Sequence, residues 1–318
     1  MERTVYTVSA SPHIHAKHTI DSIMKDVVIA LLPAVIMAIY VFRWPALWVM
    51  VVSILSCIGA EALWQKLTKQ PITITDFSAV VTGLLLAFNM PATVPLWIPV
   101  IGGVFAIILV KQVFGGLGQN FMNPALAARA VLLASWPKHM TNWFLDGVTA
   151  ATPLAILKEG MGTGVYENLP SVSHLLIGTI GGCLGETSAI ALLLGAGYLL
   201  YKRIIHWRIP ASFIGTVFFL TWILGRSGMF QANPFYEILA GGLLLGAFFM
   251  ATDYTTSPVT PLGQWIMGIG CGLMTTLIRL FGGYPEGVTY SILLMNLFVP
   301  LLDRYTQPKV FGEVKSNE

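Results

Sequence analysis

Long apolar runs alternate with short clusters of Gly, Pro, Asn and charged residues along most of the chain. A helix that crosses a bilayer needs roughly 20 predominantly apolar residues, and several runs approach that length. Some are short or interrupted by Gly or Pro, which is tolerated where neighbouring helices or cofactors supply hydrogen-bond partners. The pattern predicts an all-α membrane protein with about ten transmembrane helices. The predicted spans are residues 26–42, 46–64, 77–90, 96–114, 124–136, 184–201, 211–224, 235–251, 263–281 and 288–302, with a half-helix at 173–182.

The composition also indicates a membrane protein. Apolar residues make up 55% of the 318 positions and charged residues only 10%, against about 25% charged residues in soluble domains. Such a chain cannot cover a surface that faces water, which excludes a soluble enzyme. The net charge of +3 is spread over the connections between apolar runs, so nucleic-acid binding is not indicated. We expect Cys57, Cys183 and Cys271 to be inert buried thiols, because no CxxC spacing or His cluster accompanies them.

The orientation in the membrane follows from the Lys and Arg residues on alternate sides of the predicted spans. One side carries 12 of the 18, the other side carries five, and Arg129 falls within a span. The positive-inside rule therefore predicts that both termini are cytoplasmic and that the loop at 137–172 is external. The first side holds Arg3, Lys17, Lys25, Lys66, Lys69, Lys111, Lys202, Arg203, Arg208, Arg304, Lys309 and Lys315, and the second holds Arg43, Lys138, Lys158, Arg226 and Arg279.

The polar N-terminal segment lacks a short apolar core followed by a small-residue cleavage site, so we expect it to be retained as a cytoplasmic tail. Its His13, His15 and His18 have no acidic or Cys companions and predict a solvated or partner-contacting tail without a metal. The expected organisation is a tail at 1–24, a first five-helix repeat at 25–136, an external loop at 137–172, a second five-helix repeat at 173–303 and a cytoplasmic tail at 304–318.

Two short motifs occur once in each half of the chain. The segment Gly-Leu-Leu-Leu-Ala-Phe at 83–88 is echoed by Gly-Leu-Leu-Leu-Gly-Ala-Phe at 242–248, and Lys-Gln-Val-Phe-Gly-Gly at 111–116 is echoed by Arg-Leu-Phe-Gly-Gly at 279–283. The matching elements are spans three and four against spans eight and nine. Because they lie five spans apart, they have opposite orientation, which predicts an inverted repeat with a functional site near the midplane. The alternative is that Gly- and Leu-rich helices resemble one another by chance.

The external loop contains a candidate modification site at Thr152. Pro153 suits the first position of a helix, which puts Thr152 at the N-cap. Free backbone N–H groups at a helix start also attract phosphate. Small residues at 150 and 151 would let a bulky group approach the hydroxyl, and Asp146 could orient that hydroxyl or hold a metal during modification. From the residues alone, a plain cap and a phosphate site are both open.

Ionisable residues inside predicted spans are costly in hydrocarbon and are functional candidates for that reason. Glu61, Glu186 and Asp253 are candidates for an ion path, although positions at helix ends could instead reach water. Arg129 follows the turn at Asn123 and leads to the loop of Thr152, so it could neutralise a phosphate or a reduced flavin. The alternative for Arg129 is a structural salt bridge to Glu186 or Glu61.

The loop resembles the flavinylation motif Asp-x-x-Ser/Thr-Gly-Ala-Thr, with matches at Asp146, Thr149, Ala151 and Thr152 and a departure at Ala150, where Gly is usual. The stretches at 11–15, 111–130 and 181–189 also resemble one family of proteins that carry this motif. The family comprises the D subunit of the Rnf complex and the B subunit of the sodium-pumping NADH:quinone reductase. The length of the chain is closer to that of the Rnf protein.

The resemblance implies FMN esterified through its phosphate to Thr152 by a flavin transferase, and a non-covalent riboflavin among the helices. Asp146, Thr149, Ala151, Arg129 and Asn123 are the further residues expected around the covalent cofactor. The resemblance also implies partner subunits that carry iron–sulfur clusters, a second covalent FMN and the NADH site. Electrons then pass between ferredoxin and NAD, coupled to Na⁺ or H⁺ movement.

The expected function is that of a membrane subunit that relays electrons and has no complete active site or metal site of its own. A secondary transporter or channel without flavin is the alternative, because an inverted repeat with midplane charges suits it equally. A structural membrane scaffold with a vestigial flavin site is a third hypothesis.

Overall fold

The computed structural model describes residues 19–145, 148–149, 151–161, 169–186, 188–226, 230 and 233–308, with the backbone only at 144–145 and 148–149. The three N-terminal histidines, Asp146, Ala150 and most of both tails lie outside these residues. Within them the regular secondary structure is helical apart from a hairpin of two-residue strands, β1 (Phe144–Leu145) and β2 (Val148–Thr149). Two of the described helices are long and apolar enough to cross a membrane, Ile20–Leu67 and Pro261–Phe281.

The helices follow the predicted apolar runs in order. They are α1 (Ile20–Leu67), α2 (Ser78–Phe88), α3 (Trp97–Val104), α4 (Pro124–Ser135), α5 (Pro137–Met140), α6 (Pro153–Glu159), α7 (Val172–Ile177), α8 (Ala189–Tyr201), α9 (Arg208–Leu224), α10 (Pro234–Leu239), α11 (Leu243–Leu245), α12 (Pro261–Phe281) and α13 (Val288–Tyr305). Two π-helical segments, Phe105–Gln112 and Gly246–Met250, continue α3 and α11. That ten of these segments cross the membrane stays a prediction.

The first two predicted spans are the two arms of α1. The arms meet at Arg43, whose φ of 56° and ψ of −140° interrupt the helix. Pro45 follows two residues later and favours a break here, because a proline lacks the backbone donor of a helical hydrogen bond and its ring clashes with the preceding turn. The helix begins earlier than predicted because Thr19 caps it, with its side chain accepting from the Ser22 amide.

The eighth predicted span is divided instead of continuous. The short helix α10 ends at Leu239, and helical structure resumes at Leu243. Gly241 lies between them with φ of +73°, a conformation that glycine adopts without steric cost. The half-helix predicted at 173–182 is the shorter α7, which ends at Gly178, where φ is 103°.

The core joins the two halves of the chain. Helices α1 and α8 pack so closely that a methyl group placed on Gly195 would collide with the carbonyl oxygen of Ala30. Large apolar side chains also face outward, including Ile36, Leu55 and Leu194, each more than 60% exposed. Extended apolar surface of this kind fits contact with lipid or partner subunits better than contact with water.

Candidate functional site

Thr152 caps the short helix α6, as its place before Pro153 predicted. Its Oγ1 accepts a hydrogen bond from the Ala155 amide at 3.2 Å, and the residue is 8% exposed. The hairpin of β1 and β2 precedes it, with Thr149 paired to Phe144. Asp146 lies outside the described residues, so its predicted role is not located by the structure.

Thr152 and Ala151 lie on the wall of a cavity of about 460 Å³, here called the Thr152 cavity. Small-molecule sites in proteins typically enclose roughly 300–1,000 Å³, so this volume suits a cofactor ring system. The lining is mostly apolar or aromatic, with a few charged groups at one end. It comprises Arg129, Leu133, Met140, Thr141, Trp143, Ala151, Thr152, Leu154, Ala155, Glu186, Gly241, Tyr284, Pro285, Glu286, Thr289 and Tyr290. The structure therefore brings Arg129, Ala151, Thr152 and Glu186 together from separate parts of the sequence.

Arg129 holds the charged end of the cavity together. Its Nη1 donates to Asn89 Oδ1 at 2.6 Å, and its Nη2 donates to Glu286 Oε2 at 2.9 Å. Glu186 Oε1 lies 3.7 Å from the same Nη2. An ion pair between Arg129 and Glu186 is therefore present, and Glu286 is a nearer partner that was not predicted. Arg129 does not pair with Glu61, which is held elsewhere.

Glu286 lies in the loop between α12 and α13 and also accepts a hydrogen bond from the Gly242 amide. Burial, the largest single effect, opposes ionisation of its carboxyl, but Arg129, the Glu186 carboxyl, Arg279 and the Gly242 amide together hold the pKa of Glu286 below its usual value. No signal in the sequence marked Glu286, because it sits in a polar turn where a solvated carboxylate is the ordinary expectation.

The same loop is tied to α6. Lys158 Nζ donates to the carbonyl oxygen of Tyr284 at 2.8 Å and also to that of Gly282. Partial burial and the nearby Arg226 lower the pKa of Lys158. The rings of Tyr284 and Tyr290 stack with centroids 5.6 Å apart and an interplanar angle of 30°. Lys158 therefore fixes an aromatic wall of the cavity relative to Thr152.

A second buried cluster surrounds Glu61, which is 1% exposed. Lys111 Nζ donates to both Glu61 oxygens, at 2.8 and 3.0 Å, and to Ser78 Oγ at 2.6 Å. Gln112 Nε2 donates to Glu61 Oε1 at 2.8 Å. Lys111 and Gln112 are adjacent in a π-helical segment, a distortion often found at functional sites. Lys111, which was counted among the cations of one membrane side, is 2% exposed and lies inside the protein.

A third cluster joins Arg226, Glu237 and Arg279. Arg226 Nε donates to Glu237 Oε1 at 2.5 Å, and Arg279 Nη1 donates to Glu237 Oε2 at 3.3 Å and to the Glu237 carbonyl at 2.5 Å. Arg279 is fully buried and Arg226 is 9% exposed, so both lie inside the protein, although they were counted among the cations of the second side. Removing Lys111 from the 12 cations on one side and these two from the five on the other leaves eleven against three. The excess of cations on the first side persists, and the orientation stays a prediction.

Asn123 and Asp253 lie away from Thr152. Asn123 caps α4, its Oδ1 accepting from the amides of Ala125 and Leu126 at 3.1 and 3.2 Å. Both residues line another cavity, of about 90 Å³, here called the Lys111 cavity. Asp253 sits in the irregular segment after the second π-helical segment and accepts from Thr256 Oγ1 at 3.2 Å. The grouping of Asn123 with the covalent site is therefore not reproduced by the geometry.

The chain matches known proteins over nearly its full length. Residues 7–312 match the model of the NQR2, RnfD, RnfE family. The D subunit of the Na⁺-translocating ferredoxin:NAD⁺ oxidoreductase complex of Acetobacterium woodii is 55% identical, covering 97% of this chain and 96% of the relative. The D subunit of the proton-translocating ferredoxin:NAD⁺ oxidoreductase complex of Clostridium ljungdahlii is 45% identical, covering 98% of each. The D subunit of the ion-translocating oxidoreductase complex of Halorhodospira halophila is 36% identical, covering 96% and 95%.

Proposed function

Because the chain belongs to the NQR2, RnfD, RnfE family, we propose that it is the D-type membrane subunit of an Rnf ferredoxin:NAD⁺ oxidoreductase complex. In this proposal it relays electrons through FMN bound covalently to Thr152 and contributes to ion translocation. It acts as one part of a redox-driven translocase in the cytoplasmic membrane, beside the other Rnf subunits. The observation that carries the cofactor proposal is the position of Thr152 on the wall of a cavity of about 460 Å³.

The residues around the Thr152 cavity fit an FMN group. Thr152 Oγ1 would carry the phosphate, and it is a hydroxyl held in place by a hydrogen bond from the Ala155 amide. The stacked Tyr284 and Tyr290 and the apolar lining would contact the faces of an aromatic ring system. When bound, a flavin would supply both one- and two-electron redox chemistry.

Arg129 supplies positive charge to the same cavity. Its hydrogen bonds to Asn89 and Glu286 fix the guanidinium, which keeps it ready to stabilise negative charge in the cavity without reorganisation. Asp146, Thr149 and Ala151 serve the attachment reaction in this proposal. They would present the Thr152 hydroxyl to a flavin transferase, and Ala151 is exposed beside it.

The ion path is proposed to use the buried acids. The names of the A. woodii and C. ljungdahlii relatives differ in the ion, Na⁺ or H⁺, so family membership leaves either open. Both carboxylate oxygens of Glu61 already accept hydrogen bonds from Lys111 or Gln112. Glu61 would therefore have to release one of these partners to bind an ion. Asp253 on the Lys111 cavity and Glu186 on the Thr152 cavity are the other two candidates.

We also propose the inverted repeat and the predicted orientation. The Gly-Leu-Leu-Leu motif at 83–86 lies within α2 in the first half, and the one at 242–245 forms the N-cap and the three residues of α11 in the second half. Each half also carries a buried cation paired with a buried carboxylate near its repeated Phe-Gly-Gly, Lys111 with Glu61 and Arg279 with Glu237. This correspondence favours a true repeat over the alternative that apolar helices resemble one another by chance. With both termini cytoplasmic, the Thr152 cavity opens toward the outside.

Riboflavin, the second cofactor in the proposal, needs a site of its own. The Lys111 cavity encloses only about 90 Å³, which is below the usual range for small-molecule sites. A flavin ring would therefore bind there only after the apolar walls move apart. Such a flavin would leave the protein on denaturation, whereas FMN on Thr152 would stay attached.

Covalent flavin is the property that tests the proposal. The protein should be produced with a flavin transferase, denatured, and separated by electrophoresis, and its band should fluoresce as flavin does. Thr152→Val keeps the side-chain shape and removes the hydroxyl, so its band should be dark. The lost cap costs only about 1 kcal/mol, which leaves the protein folded and inserted. Thr149→Val is the control and should retain fluorescence. A dark wild-type band would contradict the proposal and favour a transporter or channel without flavin.

A further inference from the structure

Two acidic side chains meet at the charged end of the Thr152 cavity. Glu286 Oε2 and Glu186 Oε1 lie 2.9 and 3.7 Å from the same nitrogen, Arg129 Nη2. A methyl group placed on Gly242 would lie 2.7 Å from Glu286 Oε1 and 3.4 Å from Glu186 Oε1, so the two carboxyl groups also lie beside the same backbone atom. Two ionised carboxylates held this close repel each other strongly, and a close buried pair favours holding one proton between its members.

The surroundings decide which member holds the proton. Glu286 accepts from Arg129 Nη2 at 2.9 Å and from the Gly242 amide, so its oxygens are supplied with donors. Glu186 Oε2 has a long contact of 3.4 Å from the Cys183 amide. No donor of the described residues reaches the buried Glu186 Oε1, and Arg129 is 3.7 Å away. A buried, unpaired carboxylate oxygen is costly, whereas a protonated carboxyl resolves both the repulsion and the missing donor.

We propose that Glu186 and Glu286 form a proton-sharing carboxyl pair that exchanges one proton with the group bound in the Thr152 cavity, Glu186 being the member that carries it. The inference rests on the proposed function, since it needs a redox group in that cavity. It assigns to Glu186 a role in local proton transfer that is distinct from a place on an ion path across the membrane.

The exchange is balanced within the cavity. On one-electron reduction of a bound redox group, the O–H bond of Glu186 would break and its proton would pass to a basic atom of that group. Glu186 and Glu286 would then both be carboxylates, with Arg129 facing both of them. On reoxidation the proton would return to Glu186. The added negative charge would thus move from the bound group to the carboxyl pair beside Arg129, and no proton would enter or leave the cavity.

Other charged and titratable groups face the pair. Arg129 approaches from α4, Cys183 precedes Glu186 in its own segment, Arg279 acts on both carboxyls from α12, and Tyr290 lines the cavity from α13. Arg279 is itself bound to Glu237, with Arg226 on the other side of that carboxylate. The nearest available counter-charge of the pair is therefore Arg129.

Infrared spectroscopy tests the pair in purified protein that carries its covalent FMN. The reduced-minus-oxidised difference spectrum should show loss of the carbonyl band of a protonated carboxyl, shifted in D₂O. Glu186→Gln should abolish this signal and Glu186→Asp should restore it. Glu159→Gln, a change at an exposed acid at the end of α6, should leave it intact. The same signal in Glu186→Gln protein, or no carboxyl signal in flavin-loaded wild-type protein, would overturn the proposal.

A second measurement separates this inference from the cofactor proposal. Thr152→Val protein lacks the attachment hydroxyl, yet the carboxyl pair should still hold its proton at neutral pH. An infrared pH titration of that variant should show a protonated-carboxyl band that Glu286→Gln or Glu186→Gln alters. Absence of the band would refute the pair even where FMN attaches to Thr152. Presence of the band in a wild-type protein without flavin would leave the pair standing and refute the cofactor proposal.

Discussion

Lys111→Met is a direct test of the buried ion pair with Glu61. Lys111 is 2% exposed and uses its ammonium for three hydrogen bonds, two to Glu61 and one to Ser78. Methionine has a similar shape and removes all three, which leaves the Glu61 carboxylate buried with Gln112 as its partner. Breaking a buried pair from one side costs about 3–5 kcal/mol, because the remaining charge is uncompensated.

The assay is the denaturation midpoint of purified protein in a fixed detergent, where this loss should lower the apparent midpoint on the order of 10 °C. Lys202→Met is the matched control. Lys202 is 43% exposed and lies 3.8 Å from Asp26, so its loss should cost at most about 1 kcal/mol.

The double variant Lys111→Met, Glu61→Gln completes the cycle. Removing both charges leaves no unpaired ion, so most of the lost stability should return. If Lys111→Met is no more destabilising than Lys202→Met, or if the double variant is as unstable as the single one, then the buried pair does not stabilise this fold in the way argued.

Three further predictions concern packing, topology and the cavity. Gly195→Ala should destabilise the protein by about 1–3 kcal/mol or more, because α1 leaves no room for a methyl group; Gly197→Ala on the same helix meets nothing within 4 Å and should be harmless in the same denaturation assay. In the predicted orientation Glu159 is external and Lys202 is cytoplasmic. Cysteine at the exposed Glu159 should therefore react with an impermeant thiol reagent in intact cells, whereas cysteine at Lys202 should not. The native cysteines are buried and should not react, and the reverse labelling pattern would contradict the predicted orientation. Arg129→Leu should slow flavin reduction or reduce flavin retention more than it lowers the amount of folded protein; unchanged reduction kinetics would make Arg129 a purely structural partner of Glu286.

The apolar pattern predicted the order and approximate bounds of the helices well, because the period and length of apolar runs are properties of the local sequence. It missed the break at Gly241, which depends on one backbone conformation, and the π-helical segments, which alter the backbone hydrogen bonds without changing the apolar pattern. It also assigned Lys111, Arg226 and Arg279 to the two sides of the membrane and did not predict that they are buried with carboxylate partners. A single cation at the end of an apolar run looks the same in sequence whether it flanks a span or pairs with a buried acid.

Some residues of the candidate site could likewise be predicted from the sequence, and others could not. Thr152 was predicted from a local signal, a small-residue-flanked hydroxyl before Pro153, and its cap geometry was correct. Arg129 was marked by its charge within an apolar run. Glu286, Tyr284 and Tyr290 gave no such signal, because their place beside Thr152 comes from the packing of α6 against the loop between α12 and α13. Contacts that join distant segments of the chain cannot be derived from one sequence.

The central claim is that Thr152 carries FMN through a phosphoester. Tandem mass spectrometry of peptides from the denatured wild-type protein, made alongside a flavin transferase, tests it most directly. The account predicts a peptide containing Thr152 whose mass is increased by one FMN, with fragment ions that place the phosphate on Thr152 and not on Thr149. A flavin-free Thr152 peptide at full coverage, or an FMN located on another residue, would contradict it.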